Sequence, residues 1–293
     1  MAEPENPAET GQDRIKGYGG GSVDTVISVD EVNRRAAAIA EAGVPAGRVA
    51  ELAGPEPFVS IDNLRAGYGK MEILHDFNLQ VARQQSLCLI GPNGAGKSTV
   101  LHSIFGFTNI FGGAISVNGR EVTRLSPKDK LRTAGIAYIL QDKSVFPGMT
   151  VEENLWMGGY LMDKPAQAKE KAEQIFTKYP RLAERRSHPA KVLSGGERRL
   201  LEISRALVME PEVLLVDEPS IGLEPRFIDM VFEILDDLQK AEGKTIIMVE
   251  QNAKKGLEFA DIGYVLVSGL LAMAGPGDEL LENPEVGRLF LGG

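Results

Sequence analysis

From Phe58 onward the chain alternates between short apolar runs and longer stretches of helical periodicity. Ser86–Ile90, Ile136–Leu140, Val213–Val216 and Thr245–Val249 are near-continuous apolar runs, the pattern of parallel strands buried on both faces. Phe58–Leu64, Asn78–Val81 and Ala114–Val117 read as further strands beside turns such as Asn118-Gly119. Helices are predicted over Lys97–Phe105, Val151–Leu161, Ala166–Lys178, Glu197–Met209 and Arg226–Ala241. Strands alternating with helices predict an α/β domain with a mainly parallel sheet. From about residue 148 to 190 helix follows helix without a strand, which predicts a helical subdomain inserted into that body.

Residues 1–56 have a different texture. Ten acidic residues against five basic ones give this segment a charge of −5, more than half of the net −9 of the 293-residue chain. A Tyr18-Gly19-Gly20-Gly21-Ser22 linker and scattered prolines predict an acidic, flexible extension, with one helix from Asp30 to Ala42. The domain itself is expected over residues 57–293.

The acidic balance argues against a nucleic-acid binder, which needs a basic face. One cysteine, Cys88, excludes an intrachain disulfide and a cysteine-cluster zinc site. His75, His102 and His188 have no metal-ligand spacing. The apolar stretch Tyr264–Ala274 is broken by Ser268 and Gly269 and is too short to cross a bilayer. No apolar signal core stands at the N-terminus, so the chain is expected in the cytoplasm.

Three motifs carry chemistry. Gly91-Pro92-Asn93-Gly94-Ala95-Gly96-Lys97-Ser98 fits the phosphate-binding loop pattern, with a strand before it and a helix after it. Its glycines let backbone amides point at phosphate oxygens, and the helix N-terminus adds positive potential. Lys97 can reach the β- and γ-phosphates, and Ser98 can ligate Mg²⁺. Next, Val213–Val216 delivers Asp217 and Glu218 at the C-terminal edge of a strand, where open α/β sheets bind ligands. Asp217 suits the metal, and Glu218 suits the attacking water as base or orienting acceptor. Between them, Leu193-Ser194-Gly195-Gly196-Glu197 opens a helix. It reads either as an anion site at a helix N-terminus or as a plain capping box of Ser194 and Glu197.

These motifs, in this order, resemble the nucleotide-binding subunit of an ATP-binding cassette (ABC) transporter. The resemblance covers about Phe58 to Gly293. It implies a P-loop NTPase cassette: a mainly parallel sheet core, an antiparallel β subdomain and an inserted helical subdomain. Leu193–Glu197 resembles the family signature, with Glu197 where glutamine is usual. The family pairs two subunits head to tail, so that each signature, here Ser194, Gly195, Gly196 and Glu197, caps the ATP held by the other. By the same resemblance Tyr68 stacks on adenine, the phosphate set extends to Thr99, and Gln141 links the magnesium site to the membrane subunits. Ser220–Glu224 matches the loop that crosses the dimer interface, with Glu224 in place of aspartate. Gln251 occupies the place of a histidine that contacts the γ-phosphate. Glutamine can hydrogen-bond phosphate or water but cannot carry a proton as imidazolium does.

Val249–Ala253, Met149–Leu155, Tyr179–Leu182, Glu184–Arg186 and Leu291–Gly293 resemble one ATPase subunit of branched-chain amino-acid importers; urea and amide importers share several of these stretches. The implied cofactors are ATP and Mg²⁺. The implied partners are two transmembrane permease subunits, a second ATPase subunit in a heterodimer and, indirectly, an extracytoplasmic solute-binding protein. The implied place is the cytoplasmic face of the inner membrane, as a peripheral subunit. Two other readings stand beside this one. A soluble ABC ATPase of DNA repair or translation usually carries two cassettes or a long coiled coil, and this chain has neither. A regulatory subunit that binds ATP with weak hydrolysis is favoured by Gln251 and opposed by Lys97, Asp217 and Glu218.

Overall fold

The computed structural model describes residues 43–45, 47–141 and 144–290. The helix predicted over Asp30–Ala42 lies outside them. Ten strands form two sheets among the described residues: β1 Val59–Tyr68, β2 Met71–Val81, β3 Ser86–Ile90, β4 Asn109–Val117, β5 Arg120–Glu121, β6 Ile136–Ile139, β7 Val213–Asp217, β8 Thr245–Val249, β9 Ile262–Val267 and β10 Leu270–Pro276. The larger sheet has the order β10-β9-β3-β8-β7-β6. All its pairings are parallel except β9 with β10. Every residue of β3, β7, β8 and β9 is buried, as a sheet covered on both faces requires.

The smaller sheet, β2-β1-β4-β5, is antiparallel. Its strands run longer than their apolar patterns predict. Asn63 and Asp76 take positive φ, and register shifts interrupt β1 against both neighbours. Each shift breaks the alternation from which a strand is read. The stretch Tyr264–Ala274 is a hairpin: Ser268 (φ 49°) and Gly269 (φ 79°) form a two-residue turn that pairs Leu270 with Val267.

One core fills the space between the two sheets. It joins Val59, Ile61 and Leu79 to Leu87, Leu89 and Val249, with Val100, Leu101 and Ile104 of the helix Lys97–Phe105 between them. A second core covers the other face, where Val231, Leu235 and Leu238 of the helix Pro225–Lys240 pack on Leu214, Val216, Ile246 and Met248. A third belongs to the helical insertion and joins Val151, Leu155, Ile175, Phe176 and Leu182 to Leu200 and Leu201. The helix Gly195–Leu207 thus faces two ways, since its Ile203 belongs to the second core. The first insertion helix ends at Gly158, short of the expected Leu161. A side chain at Gly158 would meet the Arg205 carbonyl at 2.4 Å, and one at Gly159 would meet Ala168 at 2.5 Å. These glycines allow the close helix approach and also end the helix.

The acidic composition of residues 1–56 does not separate all of them from this body. Arg48–Ala53 is a helix whose Val49 and Leu52 pack against the first core. Gln85 Nε2 donates to the Leu52 carbonyl at 3.1 Å, and Arg48 pairs with Glu279 at 3.0 Å. Among the described residues no helix is long and apolar enough to cross a membrane.

Candidate functional site

Four neighbouring parallel strands end at one edge of the larger sheet, and each delivers a motif there. β3 runs into Gly91 and the phosphate-binding loop. β8 ends before Gln251, β7 ends at Asp217, and β6 ends two residues before Gln141. Carboxyl edges of this kind are where α/β sheets hold ligands.

The loop geometry follows from its glycines. Gly91, Gly94 and Gly96 have φ of 145°, 80° and 99°. A Cβ on Gly91 would stand 2.2 Å from the Leu266 carbonyl oxygen, so only glycine fits there. Lys97 opens the following helix and folds back over the loop. Its Nζ donates to the carbonyls of Gly91 at 2.9 Å and Pro92 at 3.0 Å. Burial lowers the ammonium pKa, and the nearby carboxylates of Glu218 and Asp217 oppose that shift. Pro92, Asn93 and Gly94 are at least partly exposed, whereas Ala95, Gly96 and Thr99 are buried beneath.

Oxygen donors gather beside the lysine. Ser98 Oγ donates to Asp217 Oδ1 at 3.2 Å, and the Tyr138 hydroxyl donates to Oδ2 at 2.7 Å. Gln141 Nε2 donates to Glu218 Oε2 at 3.0 Å. Burial, and then the Asp217 charge, raise the Glu218 carboxyl above its ordinary range, against the pull of Lys97. Hydroxyl, carboxylate and amide oxygens fit a hard cation such as Mg²⁺. Among the described residues no group of three or more His, Cys, Asp and Glu forms a metal cage.

Glu218 has a left-handed backbone (φ 43°), and its amide donates to the Val249 carbonyl at 2.8 Å. The turn after β7 is therefore stitched to β8. A second stitch is Glu250, which is buried. It accepts from Ser220 Oγ and from the Asn252 amide, both at 2.8 Å. Gln251 is exposed between these anchors. Glu250 and Tyr138 carried no sequence argument. The only available signal for Glu250 was a carboxylate after an apolar strand, as at Asp217.

Tyr68, at the end of β1, is 41% exposed and stands edge-on to His102 of the helix Lys97–Phe105, with ring centroids 6.0 Å apart. Its hydroxyl bonds His102 Nδ1. The aromatic is thus set beside the helix that follows the phosphate loop.

The segment Ser194–Glu197 is held by contacts of its own, although Gly195 lines one cavity with Gln141. Ser194 and Glu197 form a reciprocal capping box, with Ser194 Oγ accepting the Glu197 amide at 3.2 Å and Glu197 Oε2 accepting the Ser194 amide at 2.9 Å. The backbone amide of Ser194 holds the Glu197 carboxyl below its usual range. Ser194 and Gly195 are exposed, while Gly196 is covered by the Phe227 ring, which a Cβ would meet at 2.3 Å. The neighbours of this segment are Leu223, Phe227 and Arg185 rather than the phosphate loop.

The family model for ABC transporters matches residues 74–221. The high-affinity branched-chain amino acid transport ATP-binding protein BraG of Pseudomonas aeruginosa is 41% identical over 235 residues, covering 80% of this chain and all of that protein. The probable branched-chain amino acid transport ATP-binding protein LivF of Archaeoglobus fulgidus is 39% identical over 229 residues, covering 78% of this chain and 96% of its own length. An ATP-binding cassette of an ABC transporter, solved in its ADP conformation, superposes with a TM-score of 0.71 at 26% identity, covering 82% of this chain and 100% of that one. With about 80% of its length matching the whole of such a relative, the chain belongs to the ABC transporter family, as an ATP-hydrolysing ATP-binding subunit.

Proposed function

We propose that this subunit powers import of branched-chain or closely related amino acids through two separate permease subunits. It acts at the cytoplasmic face of the membrane in a heterodimer with a second ATPase, and a solute-binding protein outside the membrane supplies the cargo. The solute class is that named for BraG and LivF. The observation that carries the ATPase reading is the convergence of the phosphate loop, Asp217, Glu218, Gln141 and Gln251 at the ends of four adjacent strands.

The amides of the loop and Lys97 bind and orient the β- and γ-phosphates, and Tyr68 supports the adenine. Glu218 accepts a hydrogen bond from the attacking water and draws off its proton. Gln141 orients Glu218, and Gln251 contacts the γ-phosphate or the water. Ser98 and Asp217, beside Gln141, would hold magnesium, which would supply positive charge against the negative charge of the phosphates. Residues 57–293 are assigned to the cassette, the helix Arg48–Ala53 packs on it, and residues 1–56 have no assigned chemical role.

A groove of about 410 Å³ suits the permease. It lies between β6, the helix Val151–Gly158 and the helix Gly195–Leu207, and Phe146, Met157 and Tyr160 are among its lining residues. All three are exposed large hydrophobic residues, the signature of a protein-contact surface.

The exposed Ser194 and Gly195 suit a role on the partner's ATP, as the resemblance implies. The partner's site then keeps a histidine, while this chain's own site carries Gln251. Ser194→Arg would block that helix N-terminus and should lower the ATPase rate of the reconstituted complex at least as much as Gln251→Ala. Measuring both variants in the complex decides the point. A much larger loss from Gln251→Ala would overturn the asymmetric reading.

A further inference from the structure

Arg199 and Glu202 form a buried ion pair on the helix Gly195–Leu207, with Nη1 and Oε2 2.9 Å apart and side chains only 4% and 5% exposed. The same guanidinium reaches beyond its helix. Nη1 donates to the Leu140 carbonyl at 2.7 Å and the Gln141 carbonyl at 3.4 Å, and Nη2 donates to the Asp217 carbonyl at 3.4 Å. One side chain therefore joins the helix behind Ser194 to the strand end carrying Gln141 and to the strand end carrying Asp217 and Glu218.

The pair also divides two cavities. Glu202 lines the 410 Å³ groove assigned above to the permease. Arg199 and Glu202 both line a second cavity of about 630 Å³, shared with Gln141, Gly195 and Leu223. Movement of Glu202 by a helix seated in the groove would move a guanidinium that holds the backbone at Gln141 and Asp217.

Burying such a pair is seldom the cheapest route to stability, and its best-attested use is to fix register. Among the described residues the Nε of Arg199 is buried with no hydrogen-bond partner, so the arrangement is not optimised for stability alone. A planar fork with several donors suits simultaneous contact with three carbonyls and a carboxylate, which a lysine could not reproduce.

We propose that Arg199 and Glu202 are positioning residues that couple the permease groove to the catalytic edge of this subunit. The inference rests on the permease reading of that groove. Among the described residues neither side chain hydrogen-bonds the phosphate loop, so nucleotide affinity and turnover should respond differently to their loss.

The test uses the full-length chain in its reconstituted complex with the permease. The double variant Arg199→Met with Glu202→Leu removes both charges together and leaves neither buried partner unpaired. Three quantities are compared with the parent: thermal unfolding, affinity for a fluorescent ATP analogue, and the KM and kcat of permease-stimulated hydrolysis. The expected result is a folded subunit with affinity and KM within about twofold and kcat lowered at least tenfold. Arg199→Lys alone should restore less than half of the stimulated rate, because the fork is lost.

Parent-like stimulated turnover in the double variant would overturn the proposal. So would a loss of nucleotide affinity in proportion to turnover, or failure to fold, because either outcome makes the pair a structural prop. If the parent itself shows no stimulation by the permease, the reading of the groove has failed, and that is visible before any variant is scored.

Discussion

Lys97→Ala should leave the fold in place and lower affinity for MgATP by about two orders of magnitude. Lys97 Nζ lies over the loop, bonded to the Gly91 and Pro92 carbonyls, and among the described residues no carboxylate is hydrogen-bonded to it. Phosphate oxygens are stronger acceptors than these carbonyls, and charge-assisted hydrogen bonds contribute about 1.5–3 kcal/mol each. Loss of about 3 kcal/mol corresponds to roughly a hundredfold in Kd. The neighbouring Ala95, Gly96 and Thr99 are buried, so the loop should keep its support. Titration with a fluorescent ATP analogue, beside a circular dichroism spectrum, checks this. An unchanged Kd with an unchanged spectrum would count against the phosphate-loop assignment.

Glu218→Gln should separate binding from turnover. The amide keeps the shape of the side chain and can still meet Gln141, but it is no longer an anionic acceptor for the water proton. General-base contributions are typically about 10²–10⁴-fold, so kcat should fall by that range while ATP affinity stays within a few fold. The carboxyl pKa is raised by burial and by Asp217, so Glu218 takes up a proton at a higher pH than an ordinary glutamate. A rate that needs the anion therefore falls as pH drops through that raised value. In the parent, the acid limb of the pH–rate profile should lie above the ordinary glutamate range; in Glu218→Gln it should disappear from the residual rate. Single-turnover hydrolysis across pH measures both. Equal rates in parent and variant would remove Glu218 from the chemistry.

The parallel half of this fold is legible because burial on both faces leaves unbroken apolar runs. β3 and β8 are read with their observed ends, and the helix Lys97–Phe105 is read to the residue. The antiparallel half is harder. Positive φ at Asn63 and Asp76 interrupts the period that defines a strand, so β1 and β2 are only partly visible. β9 and β10 merge into one apolar stretch until Ser268-Gly269 is recognised as a turn rather than an interruption.

The candidate site divides the same way. The phosphate loop, Asp217 and Glu218 follow their strands directly in the chain. Tyr138 and Asp217 meet across 79 positions, and Arg199 and Leu140 across 59. Nothing local in the sequence marks such pairs. The expected magnesium donors Ser98 and Asp217 do come within 3.2 Å, although 119 positions separate them. The relation of Ser194–Glu197 to a second subunit rests on the family resemblance, because within one chain that segment faces its own capping box and Phe227.

The central claim is that ATP hydrolysis by this chain drives amino-acid import. Its most direct test is uptake of labelled leucine, isoleucine and valine into proteoliposomes containing the permease subunits, both ATPase subunits and the solute-binding protein, with ATP supplied on the ATPase side. The account predicts uptake that requires ATP, is competed by the other branched-chain amino acids, and falls at least tenfold when this subunit carries Glu218→Gln. Uptake that persists undiminished with Glu218→Gln, or hydrolysis and transport that respond to urea or short amides and not to these amino acids, would contradict it.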